Sequence, residues 1–334
     1  MIIRKKVFLL ALFILVVITF VSLGFLRNMG SVNSSSDEKG DEASFIPKSV
    51  PAGSKSKYDM ALTMNEEGTF HLESTVTIKN ISEDSWRNII FYFIPNMFTK
   101  SISSQLDQPS TIHFNKVSVN GESSSFELKK DTLNVPLKEE LQKGKEMKVT
   151  FNYDFTLPEG GLRFNKSHQN YYLAQFYPMV ATYRNHEWNK EEYRFKGETY
   201  HTAFSDFKVR YNIPNDYTIV STSEDDKFPS EKNGFFEVKN TKEVFIALVK
   251  KPVIFEKNKD KVNIRVIGLD NDDPLYEEIS EEASAALQYF QENIGPYPFK
   301  QLDIIVDQSG MEYPGVVTAH SIYNASVSDE SLKR

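Results

Sequence analysis

The absence of cysteine and the positions of the histidines limit the metal chemistry open to this 334-residue sequence. It contains no cysteine, which excludes thiolate zinc sites, iron–sulfur clusters and cysteine nucleophiles, so any metal must bind His, Asp or Glu. The six histidines are His71, His113, His168, His186, His201 and His320, and no two are four residues apart. The H-E-x-x-H motif, whose two histidines need that spacing to share a zinc ion on one helix face, is therefore absent. His186-Glu187 begins the pattern, but Lys190 stands in place of the second histidine.

Other chemical signatures are missing, and the charge restricts the classes of partner. The chain has neither a G-x-S-x-G nucleophile motif nor a phosphate-binding glycine loop. The acidic run 270–273 lacks the spaced oxygens and the glycine of an EF-hand calcium loop. The 46 acidic against 39 basic residues give a net charge of -7, which argues against a nucleic-acid-binding protein, because binding phosphates requires a basic surface.

The N-terminus has the pattern of a membrane anchor. Basic residues at positions 4–6 precede an uncharged run over 7–26, and a helix of that length spans about 30 Å, the thickness of the hydrocarbon core. The run is longer than the apolar region of a signal peptide, so residues 1–26 are interpreted as an uncleaved signal-anchor. Because the basic residues come first, we expect a single-pass cell-membrane protein with a cytoplasmic N-terminus and an extracellular remainder. The polar residues 27–57 predict a disordered tether.

Residues 58–255 have the spacing of a mainly β domain. Phe70 to Lys79 alternates between apolar and polar side chains, and Glu66-Glu67-Gly68 predicts a hairpin turn before it. Further short strands are predicted at 88–94, 111–119, 147–155, 207–213, 218–222, 235–239 and 244–250. No clear helical period interrupts them, although Val135 to Leu141 could form a short helical turn. The pattern favours a β-sandwich.

The pattern changes in residues 256–334. Val262 to Leu269 predicts a strand, and Asp273-Pro274 predicts a helix with Asp273 as its N-cap. One buried helical face is predicted from apolar residues at spacings of three or four, namely Leu275, Ile279, Ala283, Ala286, Leu287, Phe290 and Ile294. Gly295 ends the helix, and Leu302 to Val306 predicts a buried strand. We interpret this segment as the start of an incomplete α/β domain.

Three features together resemble the aminopeptidase-N-like zinc metallopeptidases, the gluzincin family that includes the membrane alanyl aminopeptidases. Tyr289 to Val317 (YFQENIGPYPFKQLDIIVDQSGMEYPGVV) is similar to the helix end, strand and G-x-M-E-N loop of the family's thermolysin-like catalytic domain. In that loop Met311 and Glu312 match the M-E pair, whereas Ser309, Gly310 and Tyr313 occupy the positions of the first Gly, the variable residue and the Asn. Tyr171 to Tyr183 (YYLAQFYPMVATY) resembles the family's T-Q-x-x-P segment. The third feature is the order of anchor, tether, sandwich and α/β start.

The resemblance implies a site for peptide N-termini. Glu312 would accept a charge-assisted hydrogen bond from the protonated α-amine, and Gln175 would add a neutral acceptor from the sandwich. The backbone of Gly310 and Met311 would hold the peptide as an added strand, and Tyr313 completes the predicted substrate-binding set. The alternative for Glu312 is a surface carboxylate in a turn.

The family holds its zinc on the two histidines of H-E-x-x-H and a more distant glutamate, and that motif is absent here. The resemblance therefore implies no catalytic residue, no metal ligand and no cofactor within this chain, and zinc only in the complete family member. We expect the N-terminal part of a membrane-anchored zinc aminopeptidase, a hydrolase that removes N-terminal residues from peptides. It would be inactive alone, with the zinc site carried downstream or by a separate C-terminal half. Two alternatives stay open, a catalytically dead peptide-binding ectodomain and an unrelated membrane-tethered β-sandwich interaction module.

Overall fold

The structure is a computed structural model that describes residues 53–319 except 196, 225, 229, 260, 308 and 309. The predicted membrane helix 7–26, and all but the last residues of the predicted tether 27–57, lie outside this part of the chain. Among the described residues, no helix is both long enough and apolar enough to cross a membrane.

The N-terminal part consists of short strands whose side chains alternate between a buried and a more exposed face. Their bounds are β1 (Ser54–Met64), β2 (Phe70–Asn80), β3 (Trp86–Tyr92), β4 (Ile112–Val119), β5 (Glu122–Ser123), β6 (Glu127–Lys129), β7 (Thr132–Leu141), β8 (Glu146–Phe155), β9 (Phe164–Ser167), β10 (Asn170–Leu173), β11 (Met179–Val180), β12 (Thr182–Arg184), β13 (Glu187–Asn189), β14 (Ser205–Asn212), β15 (Tyr217–Ser221), β16 (Asn233–Thr241) and β17 (Ile246–Lys250). A short 3-10 helix occupies Ile94–Phe98.

These strands form a β-sandwich, which confirms the mainly β prediction for this part. A seven-stranded sheet has the order β16-β14-β1-β2-β8-β4-β5, and two four-stranded sheets have the orders β15-β17-β10-β9 and β11-β3-β7-β6. One continuous core fills the space between the large sheet and the two small ones, with Phe70 and Phe151 on one side and Phe91 and Leu248 on the other. Burial of such side chains contributes about 1.5–3 kcal/mol each.

Val135 to Leu141, considered above as a possible short turn, is a strand. These residues belong to β7, where Val135 lies opposite Ile89 of β3. Leu133, Val135 and Leu141 are buried, so the apolar positions have the period of a strand.

The C-terminal part is one sheet with one α-helix among the described residues. Its elements are β18 (Val253–Lys259), β19 (Val262–Gly268), α1 (Asp273–Asn293), β20 (Gln301–Val306), β21 (Met311–Tyr313) and β22 (Val316–Ala319). The strand order is β18-β19-β20-β22-β21, and β19 and β20 are parallel neighbours joined through α1. The predicted domain boundary between Phe255 and Glu256 falls inside β18, which pairs with β19.

The sheet β15-β17-β10-β9 is covered on both faces. In β17, Ile246 and Leu248 pack into the sandwich core, whereas Ala247 and Val249 pack into a second core with Ile305 of the C-terminal sheet. This double burial explains why β10 and β17 are almost continuously apolar. A third cluster, which includes Tyr276, Leu287 and Ile304, joins α1 to the far face of the C-terminal sheet.

The beginning of α1 differs from the prediction by one residue. Asp272, and not Asp273, is the N-cap, because its side chain accepts a hydrogen bond from the Leu275 backbone amide at 3.3 Å. Pro274 occupies the first turn, where no intrahelical amide bond is lost.

The buried face of α1 also differs from the predicted stripe. It consists of Tyr276, Ser280, Ser284 and Leu287. The serine hydroxyls donate to carbonyls of the helix itself, at 2.7 Å for Ser280 and 2.6 Å for Ser284, so that small polar residues can lie against the sheet. Of the predicted stripe, Leu275, Ile279, Ala283 and Leu287 do pack in the cluster beneath the helix. Ala286 is exposed, and Phe290 and Ile294 are 52% and 81% exposed.

A buried ion pair connects the C-terminal sheet to a loop of the sandwich. Arg265 donates through Nε and Nη2 to the two oxygens of Asp303, each at 2.6 Å, and through Nη1 to the Asp226 carbonyl at 3.1 Å. The Asp226 carboxylate accepts from Ser221 N at 2.6 Å and Ser221 Oγ at 2.9 Å. Burial raises the pKa of Asp226 to about 7, and burial raises the pKa of Asp303 to about 6 although Arg265 opposes it. The guanidinium thus bonds the carboxylate of Asp303 and the backbone of Asp226, and its charge lowers the pKa of both carboxyl groups against the effect of burial.

We predict that the stability contributed by Asp226 and Asp303 falls as the pH rises from about 4 to about 7. Both pKa values lie above the unfolded values, so this contribution is complete below about pH 4 and is lost as the pH passes through the folded pKa values of about 6 and about 7. Each proton changes the free energy of unfolding by at most about 1.4 kcal/mol per pH unit. Asp226→Asn should flatten the pH dependence of the thermal midpoint. The control Asp216→Asn, at an exposed carboxylate 3.4 Å from Lys251, should keep the wild-type slope. An unchanged slope in Asp226→Asn would contradict this account.

Candidate functional site

Gln175 lies two residues beyond β10 and is the most deeply buried of the predicted binding residues. Its backbone is left-handed, with φ of 49°, and its side chain is 0% exposed. Nε2 donates to Glu243 Oε2 at 2.8 Å and to Tyr200 Oη at 3.1 Å, which uses both amide hydrogens. The carbonyl Oε1 is buried and has no hydrogen-bond partner among the described residues. Since an unpaired buried acceptor costs about 1–3 kcal/mol, this oxygen is a candidate contact for the donor of a ligand.

Glu243 is a functional candidate that the sequence analysis missed. It lies between β16 and β17, is buried, and accepts a second hydrogen bond, from Tyr200 Oη to Oε1 at 3.0 Å. Burial raises the pKa of Glu243, although the hydrogen bonds from Gln175 and Tyr200 lower it. The only sequence signal is its place directly before the apolar run 244–249, and a charge at the start of a strand is more commonly solvated.

Arg163 is the basic group of this buried cluster. It is 9% exposed, and its Nη2 lies 3.4 Å from Glu198 Oε1. Its charge lowers the pKa of Glu243, whereas the charge of Glu198 raises it. One guanidinium therefore stands against two carboxylates, an arrangement that favours a positively charged ligand over a negatively charged one.

Strand β21 carries three of the predicted binding residues and forms the edge of the C-terminal sheet. The Tyr313 ring stacks on Phe245 of the sandwich, with centroids 3.9 Å apart and planes 4° apart, and Met311 packs in the same cluster. Burial raises the pKa of Tyr313, and the charge of Glu243 raises it further. Tyr313 is therefore close enough to Glu243, which binds the Gln175 amide, for the two to interact electrostatically. A turn at Gly315, with φ of 75°, connects β21 to β22.

Glu312 lies on the opposite face of β21. It is paired with Val317, which is in register with Ile304, and Ile304 packs beneath α1. Since paired residues share a sheet face, the exposed Glu312 side chain is on the helix-bearing side. Gly310 is also exposed, and a Cβ there would be 3.8 Å from the nearest atom, Thr318 O. The structure brings Gln175 and Tyr313 to the boundary with the sandwich and does not bring Glu312 there, and the binding roles stay predictions.

Asp307 links the segment of Gln175 to the segment of Glu312. It directly follows β20, and it accepts hydrogen bonds at Oδ2 from Tyr172 Oη and from Asn170 Nδ2, the latter at 3.0 Å. His168 Nδ1 lies 3.8 Å from the other oxygen. Because Tyr172 precedes Gln175 by three residues, these bonds hold the end of β10 against the chain that leads to β21.

Residues 53–319, with the gaps given above, contain no group of three His, Asp or Glu side chains placed to hold a metal ion. His186 and Glu187 lie at the hairpin of β12 and β13, where His186 Nδ1 is 2.9 Å from Asp84. The described residues therefore do not fit a zinc site.

Comparison with known proteins identifies the fold. No protein-family model and no curated protein matches the sequence. The structure is similar to the M1 zinc metallopeptidase of Deinococcus radiodurans, with 14% identity and a TM-score of 0.52 over 80% of this chain and 61% of that one. It is also similar to a mutant two-domain M1 zinc metallopeptidase bound to L-arginine, with 13% identity and a TM-score of 0.53 over 84% of this chain and 64% of that one.

The chain therefore has the fold of the M1 zinc metallopeptidases, which confirms, at the level of the fold, the resemblance to aminopeptidase-N-like enzymes. It spans about three-fifths of the length of these structures.

We predict that Tyr172→Phe destabilises the protein more than Tyr153→Phe. Both tyrosines are almost fully buried, but Tyr172 donates to the Asp307 carboxylate, whereas Tyr153 donates to the neutral carbonyl of Phe176 at 2.6 Å. Hydrogen bonds to charged groups contribute about 1.5–3 kcal/mol and neutral ones about 0.5–1.5 kcal/mol. Urea denaturation of both variants measures the difference, and equal losses in the free energy of unfolding would show that Asp307 does not depend on Tyr172.

Proposed function

We propose that this chain is the N-terminal part of a zinc aminopeptidase and that its described residues bind the N-terminus of a peptide. The observation that carries the proposal is the Gln175 carbonyl oxygen, which is buried beside the Glu243 carboxylate and has no donor in the part of the chain that the structure describes. The fold around it is that of the M1 zinc metallopeptidases. A protonated α-amine is the donor that best suits an acceptor in an environment with excess negative charge. Tyr313 and Met311 line the same boundary.

The edge position of β21 supports binding of an extended peptide. One side of β21 pairs with β22, and no strand of the described residues pairs with its other side. A peptide that pairs with this free edge gains backbone hydrogen bonds whatever its side chains are, and its first residue can lie near Tyr313.

Glu312 has a separate role in this proposal. Its carboxylate is exposed, and no hydrogen bond or ion pair to it is found within the described part of the chain. It flanks the edge strand from the helix-bearing side, where it attracts the positive end of an approaching peptide.

The zinc ligands come, in this proposal, from polypeptide beyond the described residues, either downstream or in a separate C-terminal half. The support is an apolar patch at the C-terminal end of α1, formed by Tyr289, Phe290 and Ile294, which are 62%, 52% and 81% exposed. Three neighbouring large apolar side chains left open in this way are a surface that another polypeptide segment would cover. The alternative of an unrelated interaction module is disfavoured, because the shared fold extends over 80% of this chain. A peptide-binding ectodomain without catalysis is the second candidate, since the amine site requires no metal.

We further propose that residues 7–26 anchor the protein in the cell membrane with residues 27–334 outside. The uncharged run and the basic residues before it support this placement.

We predict that the full chain, purified in detergent, binds Ala-Ala-Ala amide more tightly than the N-acetylated peptide. Acetylation removes the charged donor, so the preference should be about tenfold, the size of one charge-assisted hydrogen bond. Isothermal titration calorimetry measures both affinities. Gln175→Ala should abolish the preference, whereas Gln142→Ala, at an exposed glutamine bonded to Ser85, should leave it intact. Equal affinities in the wild type would contradict the proposed function.

We predict that the same purified chain does not hydrolyse L-alanine 4-nitroanilide, even with added zinc. The reason is the absence of H-E-x-x-H and hence of a metal-activated water from this sequence. Release of nitroaniline followed by absorbance tests this, and cleavage that EDTA abolishes would show that the chain holds a metal site of its own.

A further inference from the structure

The neighbours of Gln175 permit only one orientation of its amide. The ionised carboxylate of Glu243 can only accept hydrogen bonds, so the amide atom 2.8 Å from its Oε2 must be the nitrogen. Tyr200 Oη donates its single hydrogen to Glu243 Oε1 at 3.0 Å and therefore accepts the second amide hydrogen at 3.1 Å. Every hydrogen of the three groups is thus used, and the acceptor left over is Gln175 Oε1.

We propose that Glu243 and Tyr200 are positioning residues that hold the Gln175 amide with its carbonyl oxygen presented to the ligand, and thereby select a free amine over a blocked N-terminus. The inference rests on the proposed function of Gln175 and adds the reason for its selectivity. In the reversed orientation the amide nitrogen would face the ligand, repel an ammonium group and favour a carbonyl such as that of an acetylated peptide. Because Gln175 is fully buried, an entering amine must displace a covering group.

The charges around Glu243 make this selection dependent on pH. The groups that face it are Gln175, Tyr200, Arg163 and Glu198, and its own charge acts on Tyr177 and Tyr313. Burial raises the pKa of Glu243, and once protonated its hydroxyl can donate to Gln175 Oε1 and stabilise the reversed amide. The preference for a free amine therefore decreases as the pH falls through the raised pKa of Glu243. The α-amine of the peptide stays protonated in this range, so the ligand does not cause the change.

The test compares Glu243→Gln with Glu237→Gln in the full chain, using Ala-Ala-Ala amide and its N-acetylated form in calorimetry. Glu237 is a half-exposed glutamate on the outer face of the seven-stranded sheet, 3.5 Å from Lys208. A glutamine at position 243 can donate to Gln175 Oε1, so the about tenfold preference for the free amine should shrink to less than about twofold. Glu237→Gln should keep the wild-type ratio. In the wild type, the ratio should also fall with decreasing pH, an effect that a purely structural role of Glu243 does not predict.

The outcomes separate this inference from the proposed function. A wild-type ratio in Glu243→Gln would overturn the inference and leave the amine site in place. No preference in the wild type, or a full preference in Gln175→Ala, would overturn the proposed function and the inference with it. If Glu243→Gln lacks a cooperative thermal transition, Tyr200→Phe takes its place, because it removes one of the two acceptors that orient the amide. The ratio should then fall at least threefold, and an unchanged ratio would overturn the inference.

Discussion

Polar groups buried between the sandwich and the C-terminal sheet must find their hydrogen-bond partners within the protein, because the sheet β15-β17-β10-β9 is covered on both faces. Arg265 and Asp303 meet this requirement by forming a bidentate ion pair. Asp307 meets it by accepting a hydrogen bond from the Tyr172 hydroxyl. In the cluster around Gln175 the side-chain donors of Gln175 and Tyr200 are paired, but the Gln175 carbonyl oxygen has no partner among the described residues. This oxygen is thus an acceptor that the packing of the two parts leaves without a partner in the part of the chain that the structure describes.

Contacts at the same boundary hold together segments that are distant in the sequence. Gln175 follows β10 and Tyr313 ends β21, and the two residues are 138 positions apart in the sequence. Stacking of Tyr313 on Phe245 and the bonds between Tyr172 and Asp307 tie these segments to the same sheet. A ligand at the boundary would therefore contact Tyr313 within a strand and Gln175 within two residues of a strand end. Strands hold side chains more rigidly than loops do.

Most strands could be predicted from the sequence because period-two alternation reports directly on which side of a strand is buried. β7 was missed because Pro136 and the charges that follow it obscure that alternation. The buried face of α1 was predicted only in part, because Ser280 and Ser284 face the sheet beside Leu287 while Phe290 and Ile294 face outwards, which departs from the usual relation between residue type and burial.

The candidate site was only partly predictable for a related reason. Gln175 was found through a family resemblance, whereas Glu243 and Arg163 look like surface charges and become candidates only when the fold buries them. Strand alternation already implies that Glu312 and Tyr313 face opposite sides, and the structure shows which of the two faces the sandwich.

The central claim is that Gln175 Oε1 is unpaired because it awaits the donor of a ligand. A crystal structure of the chain with bound Ala-Ala-Ala amide tests it most directly. The account predicts the ligand's amine nitrogen about 3 Å from Gln175 Oε1, with Glu243 and Tyr200 still bonded to the amide nitrogen. An amine bound elsewhere, with Gln175 Oε1 paired to an internal donor or a buried water, would contradict it.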